Sequence, residues 1–315
     1  MKVISLFSGA GGLDLGLVRS GHTVVWANDH DEDCVETYRA NIGRHVRSGD
    51  IERIKAKDIP AADVVVGGFP CQGFSCANLR RSTGDDRNRL YLQFLRVVRV
   101  KKPKFFIAEN VRGLISLDGG RVMKMIVSDF KSSGYRVKYE VFNMADFGVP
   151  QSRIRVIIMG CRKDLPENCF PEFPAKTHAR VHHNGLRPWV TIAGALQGVP
   201  EPGDPTCNLL NHVCSRYKVT NRNFTGHRRT DPDKPSPTIL ARGNGQGGVC
   251  AIQHPRNHRR LSVRESALIQ TFPLDFFFSG ALNSMYRQVG NAVPPLFAEL
   301  LGRKLKEVES KIKVQ

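Results

Sequence analysis

The sequence predicts an α/β fold: a doubly wound, mostly parallel sheet with a second, smaller and irregular domain. Three observations predict it. Short apolar runs of strand length alternate with helix-length segments through the first half of the chain. A glycine-rich turn, Phe7-Ser8-Gly9-Ala10-Gly11-Gly12, directly follows the first of those runs. After about Cys161 the periodicity fades, and it returns only near Val263.

The elements follow in order. Val3 to Phe7 reads as a strand, the glycine turn opens a helix near Leu13 to Ser20, and Thr23 to Ala27 is a second strand ending at Asn28-Asp29. Asp33 to Asn41 is helical. Strands at Asp63 to Val66 and Phe105 to Ala108 flank a helix near Leu90 to Val100, whose trailing Lys101, Lys102 and Lys104 suit a helix C-terminus. A helix at Val122 to Ser132 precedes strands at Val137 to Phe142 and Arg155 to Gly160. From there to about Arg260 the chain is rich in Pro, Gly, Asn, His and Arg, with short apolar runs such as Thr238-Ile239-Leu240-Ala241. Helices at Val263 to Thr271 and Pro295 to Val308 bring it back to the sheet. The expected division is residues 1–175 with 285–315 as one domain and 176–284 as the other.

With 315 residues, 41% of them hydrophobic, the chain can bury a sizeable core. No stretch approaches the roughly 20 apolar residues of a membrane helix. Met1 to Phe7 lacks a signal-peptide pattern, so a cytoplasmic location is expected. Eight scattered cysteines without a C-x-x-C pair fit free thiols in a reducing compartment. Lys and Arg number 47 against 29 Asp and Glu, a net charge of +18, which calls for a polyanionic partner. Half of that surplus lies between Lys176 and Arg260, where 13 basic residues face four acidic ones. A solvated basic face is the ordinary account of such a run.

Cys71 sits in Gly67-Gly68-Phe69-Pro70-Cys71-Gln72-Gly73-Phe74-Ser75, in the loop leaving a buried strand, where open α/β sheets place catalytic groups. A lone cysteine is usually a small core hydrophobe. Its ordered companions Glu109-Asn110-Val111 and Gln151-Ser152-Arg153-Ile154-Arg155 favour a nucleophile instead. In the glycine turn, backbone amides and a helix N-terminus can approach a ligand. Asp29 is placed to bond ribose hydroxyls. Asp50 and Ile51 could meet an adenine, although an ordinary surface turn explains Asp50 equally well. Cys207, His212 and Cys214 match no standard zinc spacing, so no metal is expected.

The ordered set resembles the C5-cytosine DNA methyltransferases, especially the bacterial modification enzymes. The resemblance runs nearly the whole length. It starts at Phe7 to Gly12 and passes through Asn28-Asp29, Gly49-Asp50-Ile51, Pro70-Cys71-Gln72, Asp86-Arg87 with Leu90, Glu109-Asn110-Val111 and Gln151 to Arg155. It ends, beyond a variable region, at Arg259 to Glu265 and Gly290-Asn291-Ala292-Val293-Pro294. It implies a Rossmann-like methyltransferase sheet over 1–175 and 285–315, with a target-recognition domain over 176–284.

The resemblance also assigns chemistry. Cytosine carbon 5 is a weak nucleophile, so a thiolate, from Cys71, first adds at carbon 6. Glu109 acts as a carboxylic acid at ring N3, and Arg155 with Arg153 holds the cytosine O2 and the active-site loop. Cationic surroundings favour the thiolate. The implied methyl donor is S-adenosylmethionine, with Phe7 and Ile51 bracketing its adenine. Gly9, Gly11, Gly12 and Leu13 form its loop, Asp29, His30 and Asp50 its polar edge, and Pro70, Leu90 and Asn291 the remaining walls. The target cytosine is flipped out of double-stranded DNA. Gln72, Ser75, Arg87, Thr238, Ile239 and Gln246 are the candidate DNA contacts.

Two departures stand out: Asp29 replaces the longer Glu of many relatives, and His30 occupies a place where an aromatic can cover the adenine. Cys76 lacks the preceding proline of Cys71. The expected setting is a monomer near the nucleoid, paired functionally with a cognate restriction endonuclease. The rival readings are a tRNA-acting relative, a DNA-binding regulator without catalysis, and a nicotinamide dehydrogenase.

Overall fold

The computed structural model describes residues 1–70, 89–181, 185–215, 227–228, 230–241, 251–256 and 259–313. Cys71, Gln72, Ser75, Cys76, Arg87 and Gln246 lie outside the described residues.

The first half alternates as its pattern predicts: β1 (Lys2–Leu6), α1 (Gly12–Arg19), β2 (Thr23–Asp29), α2 (Glu32–Asn41), β3 (Val46–Ser48) and β4 (Val64–Gly67). There follow α3 (Arg89–Lys101), β5 (Phe105–Val111), α4 (Gly113–Ser116), α5 (Arg121–Ser132), β6 (Tyr135–Asn143), β7 (Gln151–Ser152) and β8 (Ile154–Arg162). Seven of these strands form one sheet in the order β3-β2-β1-β4-β5-β8-β6. The first five run parallel. β8 is inserted antiparallel between β5 and β6, which brings its N-terminal end to the edge where the parallel strands finish.

The central strands β1, β4 and β5 are apolar on both faces because helices cover both, while the edge strand β6 is exposed along its middle. Val64 and Val66 face one core with Leu17, Val35, Phe105 and Ile107. Val65 between them faces the other, with Phe94, Phe106, Ile126 and Phe130. The last helix, α9 (Pro295–Lys313), completes the first core through Phe297, Leu301 and Leu305. It packs on α1 at Gly16, where an added Cβ would come within 2.5 Å of backbone atoms of Pro295 and Glu299.

A third core holds the remainder. Its short elements are β9 (His178–Ala179), β10 (Arg187–Pro188), α6 (Ile192–Ala195), β11 (His227–Arg228), β12 (Ser236–Pro237) and β13 (Ala251–Ile252), followed by α7 (Val263–Ile269) and α8 (Leu282–Asn291). Ile192, Ile239, Leu261 and Phe272 meet Met285, Tyr286 and Val289 of α8, and Ala10 of the glycine turn joins them. The boundary expected at 284/285 therefore falls inside a helix. That helix is absent from the elements expected above, although Leu282, Met285, Tyr286 and Val289 carry helical spacing.

Candidate active site

The order β2-β1-β4-β5 puts a topological switch point between β1 and β4, the crevice where open α/β sheets bind ligands. Three expected segments meet at its rim. The Ser8 N–H donates to the Asn28 carbonyl at 3.0 Å, and the Gly9 N–H to Asp29 Oδ2 at 2.7 Å. The Asn28 amide donates to the Arg47 and Gly49 carbonyls at 3.0 and 2.8 Å. Asp29 is buried, and its second oxygen accepts from the Asp31 N–H at 3.0 Å. Burial pushes its pKa up, and the two backbone N–H groups offset part of that. The carboxylate thus ties the glycine turn to β2. His30 beside it is exposed.

Asp50 is exposed and accepts from the Glu52 N–H at 2.9 Å. Ile51 is buried, its carbonyl held by Arg96 at 2.8 Å. Phe7 is half-buried with a φ of 55°, Leu13 lies in the first core beneath the turn, and Leu90 is half-buried at the start of α3. A Cβ at Gly12 would collide with the Val293 carbonyl, so glycine there lets the returning segment close against the turn. That contact brings Asn291, exposed at the end of α8, to the same rim.

Across the crevice, β4 and β5 present the second half of the site. Glu109 is 9% exposed, and its Oε1 lies 2.9 Å from Arg155 Nε, both side chains being about as buried as each other. Gly68 leaves room for this carboxylate, since a Cβ there would sit 3.1 Å from Glu109 Oε2. Asn110 donates to the Phe69 carbonyl at 2.9 Å, and the Phe69 ring packs on Tyr91 and Phe94. The chain is therefore anchored up to exposed Pro70, one residue before Cys71. The anchoring role of Asn110 was not foreseen, although its place beside Glu109 was a signal.

Arg153 and Arg155 part company. Arg153 is 1% exposed, and its guanidinium donates to the Ile239 carbonyl at 3.2 Å and the Gly290 carbonyl at 3.0 Å. Burial lowers its pKa to about 9, and Arg155 lowers it further while Glu109 opposes the change. Its position is that of a brace between segments, in contrast to the role beside the cytosine expected of it. Thr238 and Ile239, expected at the DNA, are likewise turned inward. The Thr238 hydroxyl donates to the Ser152 carbonyl at 2.7 Å, and Ile239 is buried with its N–H on Gln151 Oε1 at 2.9 Å. Buried Gln151 also bonds Gln270, which donates to the Val289 carbonyl at 2.7 Å. His212 faces the Pro200 carbonyl and the Ser262 hydroxyl, which place it in support of α7.

A glycine turn at a switch point, across the crevice from a buried carboxylate–arginine pair beside the Gly68-Phe69 backbone, is an arrangement suited to a group-transfer enzyme on a nucleotide-binding sheet. Residues 1–307 match the family of C-5 cytosine-specific DNA methylases, and the chain belongs to that family. It is 40% identical over 316 residues to the Type II methyltransferase M.NgoFVII of Neisseria gonorrhoeae, covering 93% of this chain and 83% of that one. The Type II methyltransferase M.MthTI of Methanothermobacter thermautotrophicus is 36% identical, with 98% and 97% covered. Among solved structures, a prophage-encoded DNA modification methyltransferase of E. coli aligns with a TM-score of 0.73 at 24% identity, covering 98% of this chain and 99% of that one. No helix among the described residues is long and apolar enough to cross a membrane.

Proposed function

We propose that the protein methylates carbon 5 of one cytosine in a specific duplex DNA sequence, as the modification component of a Type II restriction-modification system. The observation that carries the proposal is the Glu109–Arg155 pair, 2.9 Å apart beside the anchored Phe69-Pro70 segment that leads to Cys71. The proposed donor is S-adenosylmethionine, which when bound supplies an electrophilic methyl group. The rim suits it: Gly9 and Gly49, both at positive φ, face open space among exposed His30, Asp50 and Asn291.

The chain's residues then divide the work. Cys71 adds to carbon 6 of the flipped cytosine, raising electron density at carbon 5. Glu109 holds a proton at N3, and Arg155 fixes Glu109 and reaches the O2. After transfer a base, a role open to a water, takes the carbon 5 proton, the freed electron pair restores the 5,6 double bond, and Cys71 departs as a thiolate. Residues 176–284 serve as the recognition domain, with exposed Arg180, Arg187 and Arg256 on phosphates. The protein acts in this reading as a cytoplasmic, nucleoid-associated monomer alongside a cognate endonuclease.

The test is bisulfite sequencing of DNA from cells expressing the protein, followed by a duplex carrying 5-fluorocytosine at the site found. The expected result is methylation in one fixed sequence and a stable adduct mapped to Cys71. Unmodified DNA together with labelled tRNA from radioactive donor would reject the substrate, and an adduct at another residue would reject the nucleophile.

A further inference from the structure

Beneath the glycine turn lies a chain of polar groups that the transfer chemistry does not use. Asp14, in the first turn of α1, is completely buried. Its Oδ1 accepts from the Ser5 hydroxyl of β1 at 2.7 Å, and its Oδ2 from the Tyr38 hydroxyl of α2 at 2.7 Å. The Tyr38 oxygen lies 3.0 Å from His45 Nε2, with the two rings edge to face. The core around α1 and α9 is otherwise largely apolar, including Leu13, Leu17, Phe297 and Leu301, with buried His22 on the Gly302 carbonyl. An isolated carboxyl in such a core is costly, so these hydroxyls determine whether it can ionise.

Tyr38 also meets the turn directly. Gly11 has a φ of 85° and precedes α1, and a Cβ on it would collide with Ile42 Cδ1 and sit 3.0 Å from the Tyr38 ring. The Tyr38 ring and the Ile42 side chain, from α2 and its C-terminal end, therefore form the floor on which the turn rests. The turn's rim is fixed independently by Asp29 on the Gly9 N–H. Rim and floor together define the height of the backbone amides that would face the donor.

We infer that Tyr38, held by the ionised Asp14 carboxylate, positions the glycine turn for the methyl donor, so that losing this charge weakens donor binding. The inference rests on the donor reading above. With Asp14 ionised, Ser5 and Tyr38 both donate to it and the Tyr38 oxygen is free to accept from a His45 Nε2–H. With Asp14 protonated, one carboxyl oxygen becomes a donor. If that proton faces Tyr38, the tyrosine must turn its own proton to His45, which then has to present a bare Nε2. The bond between Asp14 and Tyr38 changes from charge-assisted to neutral and loses about half its strength. Burial pushes the Asp14 carboxyl up to about 6, with the Ser5 and Tyr38 bonds opposing the rise, so the change falls within an accessible range of pH. Burial also lowers the His45 pKa, consistent with a neutral ring able to present either nitrogen.

The experiment is calorimetric titration of the full-length protein with S-adenosylmethionine from pH 5 to 8, for wild type, Tyr38→Phe, Asp14→Asn and Ser5→Ala. Wild type is expected to weaken about tenfold from pH 7 to 5, centred near 6. Tyr38→Phe keeps the ring under Gly11 but should bind about tenfold more weakly at pH 7 and lose the pH dependence. Asp14→Asn should be weak and flat. Ser5→Ala removes a bond that favours ionisation, so its midpoint should move upward. Should Asp14→Asn fail to fold, Tyr38→Phe and Ser5→Ala decide the matter. Wild-type affinity in Tyr38→Phe across the whole range overturns the inference alone. A wild type that binds no donor at any pH overturns the donor reading, and this inference with it.

Discussion

Gly290 sits where the 240–241 segment, the returning helix and the buried Arg153 meet, so replacing it with alanine tests whether that junction supports the proposed function. A Cβ there would lie 2.5 Å from both the Ala241 nitrogen and the Leu240 carbonyl carbon, and 2.6 Å from the Leu240 oxygen. All three are backbone atoms, and no side-chain rotation relieves them. Either α8 or the 240–241 segment must give by roughly 0.9 Å to restore ordinary contact. Overpacking of this kind costs about 1–3 kcal/mol, and alanine in place of a helical glycine returns about 1 kcal/mol. The upper end applies because rigid segments must move, leaving a net loss of about 1–2 kcal/mol. In a chain of 315 residues that lowers Tm by about 1.5–3 °C. If the shifted segment presents the recognition surface, affinity for the cognate duplex should fall about 5- to 30-fold. Thermal unfolding and fluorescence anisotropy measure the two effects. Gly113→Ala is the control, since its Cβ meets nothing within 4 Å and it should be neutral or stabilising. A Gly290→Ala protein with unchanged Tm and unchanged DNA affinity would refute the reasoning.

Cys71→Ser should abolish turnover while leaving DNA binding measurable, because only the covalent step is lost; full activity in a radiolabel assay would move the nucleophile elsewhere. Arg153→Met should lower cognate-DNA affinity about tenfold through the loss of its bonds to Ile239 and Gly290, and equal affinity in a gel-shift titration would reduce Arg153 to packing. Replacing exposed Arg180, Arg187 and Arg256 with Gln should make the slope of log affinity against log salt shallower by about 0.9 for each phosphate contact removed; an unchanged slope would leave those charges facing solvent. Asp14 holds its proton more tightly in the folded state, near 6 against 3.8, so its contribution to stability is greatest below pH 4 and falls as pH rises through 6. The loss is up to about 3 kcal/mol, and parallel urea-unfolding profiles for wild type and Asp14→Asn over that range would contradict it.

The sheet was legible because its central strands are buried on both faces and therefore read as unbroken apolar runs, as Val64-Val65-Val66 and Phe105-Phe106-Ile107 do. β3 was missed because Val46–Ser48 is too short to show a period, and its pairing with β2 is a tertiary fact. Motif order singled out Glu109 and Arg155, which the fold brings to 2.9 Å of each other, but could not separate Arg155 from Arg153. The two differ only in surroundings, a carboxylate for one and two distant carbonyls for the other. The bonds of Thr238 and Ile239 to Ser152 and Gln151 were not legible for the same reason, since a short apolar run in a basic region does not reveal which neighbour covers it. Asp14 did leave a signal, an acidic residue among Leu13, Leu15 and Leu17, but its partners Ser5 and Tyr38 are supplied by other elements.

These inward-turned residues bear on how recognition reaches the donor rim. β12 pairs with β7, and just beyond it the Thr238 hydroxyl, the Ile239 N–H and the Ile239 carbonyl are taken by Ser152, Gln151 and Arg153 in turn. The same Arg153 holds the Gly290 carbonyl, one residue before Asn291, and Gln151 reaches α8 through Gln270. Two residues further along the chain, Arg155 grips Glu109. A displacement of the recognition segment thus cannot be absorbed locally. Apart from the half-buried Thr238 hydroxyl, the polar groups it would release are buried, and an unmade buried bond costs about 1–3 kcal/mol. The physical consequence is that residues 238–239, α8 and the start of β8 share one set of bonds, so that on the function proposed above, DNA reading, donor closure and the catalytic carboxylate would meet at one junction.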